Sequence, residues 1–342
     1  MRDSGTQKGR GASFNPPNRF ESRYLEPLDI DLTYEDAAPS VRTMFFRDTS
    51  RTILAKNDSP DLPFTYSINP YRGCEHGCIY CYARPSHEYL GFSAGLDFES
   101  KIMVKMNAPE LLAETFSKKS WVPQMVAFSG NTDCYQPVER HLRLTRRCLE
   151  VIADAGNRCT VLTKGTLVVR DLDVLKQMVG RVTVLFSFTT LDEALASQLE
   201  PGAPLGRSRL RAMERLSTSG IRVGALVCPV LPGITDSPKD LEAVIRACAE
   251  SGAAELWVGS LRLSPLVRAH FLPILDRQFP RLSATYRRLY ADGADPARAY
   301  RVQLAQRAEA LRLACGIPDH PAEQPAQPEP EQLALPLADL LR

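Results

Sequence analysis

Residues 69–83 read Asn-Pro-Tyr-Arg-Gly-Cys-Glu-His-Gly-Cys-Ile-Tyr-Cys-Tyr-Ala, which puts Cys74, Cys78 and Cys81 within eight residues. Three thiolates are one too few to saturate a four-iron cluster, which takes one cysteine per iron. A loop that supplies only three leaves one iron open to a ligand that is not protein. Gly73 and Gly77 precede the first two cysteines; they let the loop curl tightly, so that backbone N–H groups turn toward the sulfides. Structural zinc is the competing reading. Zinc sites usually add a second cysteine pair downstream, whereas Cys134, Cys148, Cys159, Cys228, Cys248 and Cys315 are scattered singly. His76 or His87 would have to complete a zinc set, and His76 lies inside the loop, where chelating the same ion is strained.

Farther along, the chain carries Ser129-Gly-Asn-Thr-Asp-Cys-Tyr-Gln-Pro-Val-Glu139, Leu162-Thr-Lys164 and Ser187-Phe-Thr-Thr-Leu-Asp192. The C-x3-C-x2-C spacing, with Tyr80 just before the third cysteine, resembles the signature of the radical S-adenosylmethionine (SAM) superfamily. The Tyr80 and Tyr82 doublet around Cys81 is similar to the spore photoproduct lyase branch. From residue 66 to about 265 the chain resembles the bacterial DNA-photolyase-like radical SAM proteins. The resemblance implies a [4Fe-4S] cluster on Cys74, Cys78 and Cys81, with SAM chelating the open iron. It implies an enzyme of lyase or transferase type that reductively cleaves SAM to a 5′-deoxyadenosyl radical. The cofactors supply the difficult chemistry, and the protein supplies position and a dry site.

By the same resemblance Tyr80 contacts the adenine, and Ser129, Gly130, Asn131 and Thr132 stand where a Gly-Gly-Glu stretch usually bonds the methionine amino group. Lys164, a compact cation at a strand end, faces the methionine carboxylate; the plain alternative is a surface lysine. Ser187 binds ribose or carboxylate, or is a strand serine bonded locally. Leu231 packs on adenine or in the core. Spore photoproduct lyases carry a hydrogen-donating cysteine beside the second strand, a position that falls near Gly130 here. Cys134 is its substitute, or else a buried small hydrophobe. Tyr82 and Tyr135 are the candidate relay partners, so the candidate catalytic pair is Cys134 and Tyr82.

With 342 residues and 44% hydrophobic content the chain can bury one large core or two small ones. A net charge of +2 excludes a polyanion or a general nucleic-acid magnet. Nine cysteines without regular pairing point to reduced thiols in the cytoplasm. The opening residues lack an apolar signal core, and no run approaches the roughly 18 apolar residues of a membrane span. A cytoplasmic protein is expected.

Residues 1–63 read as a flexible arm, polar and rich in Gly, Pro and Asn over 1–20, followed by an irregular extension. Over 64–265 short apolar runs alternate with helical patterns, the mark of βα units. The predicted strands are Thr65–Ile68, Gln124–Phe128, Cys159–Thr163, Val182–Phe188, Arg222–Val227 and Glu255–Val258. The predicted helices include Ala108–Phe116, His141–Ala155, Asp171–Met178, Leu205–Ser219 and Pro238–Ser251. Leu210, Met213 and Leu216 share one face of the fourth, an ordinary core pattern. The fold class is α/β, a partial (βα)6 TIM-type barrel with an irregular N-terminal extension and a C-terminal helical cap. The motifs then follow strands 1, 2 and 3 at the barrel end where active sites lie.

Residues 266–316 form the helical region. From Arg268 to Leu313 there are nine Arg, four acids and no Lys, either a solvated cap or a phosphate-contacting face. Residues 317–342 are Pro-, Glu- and Gln-rich, a disordered tail. Its Gln332-Leu-Ala-Leu-Pro-Leu337 resembles the hexapeptide that docks bacterial repair proteins on the DNA-polymerase sliding clamp. DNA, the sliding clamp and an electron donor such as flavodoxin or ferredoxin are the expected partners, and DNA-lesion repair or base modification the expected activity. The alternatives are a radical SAM enzyme on RNA, a peptide or a small metabolite, and a non-catalytic iron–sulfur carrier or sensor.

Overall fold

A computed structural model of the chain describes residues 9–12, 14–15, 27–28, 41–57 and 64–318. The hexapeptide at 332–337 lies outside the described residues. Among those described, eleven strands form two sheets. They are β1 (Pro27–Leu28), β2 (Met44–Arg47), β3 (Leu54–Lys56), β4 (Tyr66–Ile68), β5 (Tyr71–Arg72), β6 (Lys101–Val104), β7 (Val126–Phe128), β8 (Cys159–Thr163), β9 (Val182–Phe188), β10 (Arg222–Val230) and β11 (Leu256–Ser260).

The larger sheet has the order β11-β10-β9-β8-β7-β4-β3. From β4 to β11 every pair is parallel, and β3 borders β4 antiparallel. Six parallel strands in unbroken chain order, with no switch point, follow a β/α barrel rather than a doubly wound sheet. The sheet stays open between β11 and β3, in keeping with the partial barrel.

Strand burial alternates. On β8 and β9, Cys159, Val161, Val182, Val184 and Phe186 are buried, while Thr160, Leu162, Thr183 and Leu185 are half-buried. The buried set packs with Leu149 and Ile152, Val174 and Leu175, Met213 and Leu216, and Val244 and Ile245 from the intervening helices. The opposite face lines the barrel interior, and its C-terminal rim carries the motif residues.

Two expectations change. The helix predicted over His141–Ala155 is broken into Glu139–Leu142 and Leu144–Asp154. Arg143 sits at φ 52°, and the Glu139 carboxylate reaches across the break to accept the Thr145 N–H at 3.0 Å and the Arg146 N–H at 3.3 Å. One buried carboxylate thereby fills two of the orphan donors of the second helix. The N-terminal extension is also more regular than expected. β2 pairs parallel with β6, and β1 and β5 flank them antiparallel. Phe45 and Phe46 are both buried, in separate clusters, one with Tyr71, Ile102 and Val104 and the other with Phe92 and Met103. A strand buried on both faces shows no alternation to read.

The C-terminal helices Pro265–Gln278 and Ser283–Leu289 cover the cysteine loop. Val267, Phe271, Ile274, Leu275, Tyr286 and Tyr290 form one cluster with Cys78, Ile79, Tyr80, Leu199 and Leu231. Among the described residues no helix is long and apolar enough to cross a membrane.

Candidate active site

Cys74, Cys78 and Cys81 leave β5 on a loop held from three sides. Glu75 donates its N–H to Gln136 Oε1 at 3.1 Å, and its carboxylate accepts from Thr43 Oγ1 at 2.8 Å and from the Val138 N–H at 3.0 Å. Gln136 Nε2 donates in turn to Gly73 O at 3.0 Å. On the second side the Gly202 N–H donates to His76 O, and the Ile79 N–H to Leu199 O, both at 3.0 Å. On the third, the Arg84 guanidinium donates to Cys78 O at 2.8 Å and to Glu99 Oε1 at 2.5 Å. The curl needs glycine: Gly77 has φ +63°, and a Cβ there would stand 3.0 Å from Glu99 Oε2.

All three cysteines are free, Cys74 and Cys78 buried and Cys81 half-buried. Cys81 packs against the groups around both others. Burial pushes the three thiols up; Asp133 and the two companion thiols add to this at Cys74, while Arg84 pulls the other way at Cys81. Three neighbouring thiols that resist ionisation together are a donor set that a bound cation relieves, since coordination deprotonates a thiol outright. Among the described residues no three His, Cys, Asp or Glu side chains converge as a single ion requires. A cluster makes no such demand, because each thiolate goes to its own iron. The residues therefore fit a [4Fe-4S] cluster better than zinc.

Across from the loop, Lys164 follows β8 and Ser187 lies on β9. Lys164 Nζ donates to Ser187 Oγ at 2.6 Å, stands 3.4 Å from Glu200 Oε1, and lies 5.9 Å from the centre of the Tyr80 ring. The Tyr80 hydroxyl bonds Glu200 and, at 2.9 Å, Thr189 Oγ1. Arg209 binds the other Glu200 oxygen and donates to Ser187 O at 2.8 Å. Burial alone pushes the Glu200 carboxyl up, but Arg209 and Lys164 overcome it and hold the group well below the usual carboxylate range. Lys164 is thus no loose surface lysine; it is a cation aimed by a buried carboxylate.

The 129–132 turn caps β7. Ser129 sits at φ 68°, its Oγ accepting the Cys134 N–H at 3.0 Å. Asn69 Oδ1 accepts the Asn131 N–H at 2.9 Å and the Thr132 N–H at 3.3 Å. Gly130 O accepts from the hydroxyl of exposed Tyr82 at 2.9 Å. Asp133 ties the turn to both sides, lying 3.3 Å from His76 Nδ1 and accepting the Lys164 N–H at 2.7 Å and Thr163 Oγ1 at 2.6 Å. Burial raises its carboxyl, yet His76 and these hydrogen bonds hold it down at about 2.

The structure brings Tyr80, Lys164 and Ser187 into one network and joins Tyr82 to Gly130. Leu231 is fully buried beside Tyr80 and Cys78. Cys134 and Tyr135 are buried in the main core, Tyr135 donating to Asp171 at 3.0 Å, whereas Tyr82 is exposed. Sequence reasoning missed Glu200, Arg209, Asn69 and Asp133 as organisers. Asp133 and Thr189 lie within the quoted motifs; Glu200, in Leu-Glu-Pro-Gly, has no local signal.

An open six-stranded parallel barrel sheet, with a three-thiol loop that follows its first strand β4 by way of β5, defines the α/β class of the fold and its site. Residues 68–247 match the Radical SAM superfamily, and the chain belongs to it. An uncharacterized protein of Mycobacterium tuberculosis is 36% identical over 282 residues, 81% of each chain. One of Methanocaldococcus jannaschii is 31% identical over 171 residues, 50% of this chain and 62% of its own. Among solved structures, spore photoproduct lyase complexed with dinucleoside spore photoproduct matches at TM-score 0.61 and 16% identity over 80% of each chain. A variant of that enzyme with AdoMet and the dinucleoside photoproduct bound matches at 0.62 and 17%, again over 80% of each. At such identity the likeness is one of fold.

Proposed function

We propose that Cys74, Cys78 and Cys81 each bind one iron of a [4Fe-4S] cluster, that SAM takes the fourth, and that the enzyme acts on nucleic acid, repairing a DNA lesion or modifying a base. When bound, cluster and SAM supply a 5′-deoxyadenosyl radical able to take hydrogen from an unactivated C–H. The observation that carries this reading is the three-cysteine loop, whose Cys78 and Cys81 pack with Tyr80, beside the Lys164–Ser187 pair at the C-terminal ends of the barrel strands. Lys164 offers the methionine carboxylate a cation whose direction Glu200 and Ser187 already set, so binding costs little reorganisation. The Tyr80 ring is pinned through its hydroxyl and forms an apolar wall. Tyr82, exposed at the rim, is the aromatic side chain of the site open to a substrate. The helices over 265–289 keep water from the loop.

Support for nucleic acid comes from the fold shared with a lyase solved with a dinucleoside photoproduct, and from exposed arginines on the C-terminal helices. Nine free cysteines favour a reduced cytoplasm, with flavodoxin or ferredoxin as reductant. The test is anaerobic reconstitution with iron and sulfide, then reduction with SAM. 5′-Deoxyadenosine is measured alone, with ultraviolet-irradiated DNA, and with intact DNA, RNA or peptide. Stimulation by damaged DNA is expected. Zinc in place of iron, or iron content unchanged in Cys74→Ala, Cys78→Ala and Cys81→Ala, would sink the cluster; equal turnover with every additive would sink the nucleic-acid substrate.

A further inference from the structure

Residues 10–12 are buried against the cysteine loop rather than free in solvent. Arg10 and Ala12 are 2% and 0% exposed. The Arg10 guanidinium donates to Glu99 O, and at 2.8 Å to both Val41 O and Thr43 Oγ1. Thr43 passes a hydrogen bond on to Glu75, the neighbour of Cys74. The Gly11 N–H donates to Glu99 Oε2 at 2.9 Å, and the other oxygen of that carboxylate receives Arg84, which holds Cys78 O. The approach at Gly11 is closer still: a Cβ there would fall 1.9 Å from Gly77 O and 2.9 Å from Ile79 Cγ2. Beyond it, the Leu96 N–H donates to Phe14 O at 3.2 Å, and Asn15 and Asp97 exchange two hydrogen bonds of 2.8 Å.

We infer that this N-terminal segment is a strap that closes the outer face of the cysteine loop and governs how long the cluster is retained. The inference rests on the cluster assignment above. Arg10 reaches the Cys74 end of the loop through Thr43 and Glu75. Gly11 reaches the Cys78 end directly at Gly77, and again through Glu99 and Arg84. An ordinary buried terminus would not bridge both ends. Arg10 and Gly11 are positioning residues. Because linkage is reciprocal, whatever the strap adds to cluster retention, the cluster adds to strap seating.

Trypsin cuts after arginine, so the Arg10–Gly11 bond reports whether the strap is seated. Full-length protein reconstituted anaerobically with iron and sulfide is compared with iron-free protein, and the product beginning at Gly11 is followed by mass. Loading is expected to slow that cut by about tenfold, within the usual range of coupling between sites. Full-length Gly11→Val and Arg10→Ala are then loaded and exposed to an iron chelator. Both are expected to lose iron about tenfold faster than the unmodified chain, the factor that a buried charged hydrogen bond carries, with Arg10→Lys between. If Gly11→Val does not fold, Arg10→Ala decides, since it deletes hydrogen bonds without adding bulk. Equal iron-loss rates, or a cut at Arg10 indifferent to loading, overturns the strap. No iron uptake by the unmodified chain overturns the cluster assignment, and the strap with it, before any variant is made.

Discussion

At Glu200 one buried carboxylate meets two cations, Arg209 and Lys164, and two hydroxyls, Tyr80 and Thr189. Removing one member of a buried charge set leaves the rest uncompensated, at a cost of about 3–5 kcal/mol. Glu200→Ala is therefore expected to lower the unfolding free energy by about that much in urea titrations. Arg209→Ala should cost a similar amount, and the double variant clearly less than the sum, because the two side chains are in contact. None of this is legible locally: Arg209 falls in a helix whose Leu210, Met213 and Leu216 read as plain core, and its partner lies on another element. Asp133 makes the pH argument. Its folded carboxyl is held at about 2, below the ordinary 3.8, so the fold favours the ionised form. The resulting stability, roughly 2 kcal/mol, is complete above about pH 4–5 and lost as pH falls toward 2. Asp133→Asn should flatten that part of the acid slope; urea midpoints measured across this range would show it, and an unchanged slope would remove Asp133 from the acid transition.

The elements with the clearest signatures are those that carry the quoted motifs. The cysteine loop, the 129–139 stretch and Lys164 each stand at a strand's C-terminal end, as βα periodicity predicts. The small sheet of β1, β2, β5 and β6 was invisible because its strands are short and Phe45 and Phe46 are buried on opposite sides. The break at Arg143 was hidden for a different reason: nothing in His-Leu-Arg-Leu-Thr opposes a helix, and the interruption comes from Glu139, buried by its bonds to Tyr71 and Arg170. An arginine at φ 52° is strained; the left-handed region costs an L-residue roughly 1–2 kcal/mol, against a smaller entropic loss for glycine. Arg143 is exposed, so Arg143→Gly should stabilise the protein by about 1 kcal/mol, seen as a higher melting temperature. A lower one would mean that the side chain, rather than Glu139, sets the break.

For the molecule as a whole, sequence periodicity was enough to order the six parallel strands, because each βα unit packs beside the last. It was not enough to place residues 9–12, whose polar, glycine-rich composition reads as a loose arm although Gly11 is small in order to reach Gly77. Charge is the other global property that composition alone misstates. A net +2 spreads thinly over 342 residues, yet nine arginines gather between Arg268 and Leu313. Five of them serve the fold: Arg268, Arg301 and Arg307 bond backbone carbonyls, Arg312 bonds Glu309 and Ile317 O, and Arg287 pairs with Asp276. Arg277, Arg281, Arg288 and Arg298 are exposed, and their guanidinium groups make no hydrogen bond or ion pair among the described residues. If nucleic acid is the substrate, these four guanidinium groups are the ones free to meet phosphate. Each phosphate neutralised contributes about 0.9 to the slope of log affinity against log salt on duplex DNA. Replacing all four by glutamine should weaken duplex binding at low salt and shrink that slope by up to about 3–4. The fold should survive, since none of the four supports it. A slope that the quadruple variant leaves intact would reduce these helices to a cap over the cysteine loop and strip the nucleic-acid reading of its electrostatic footprint.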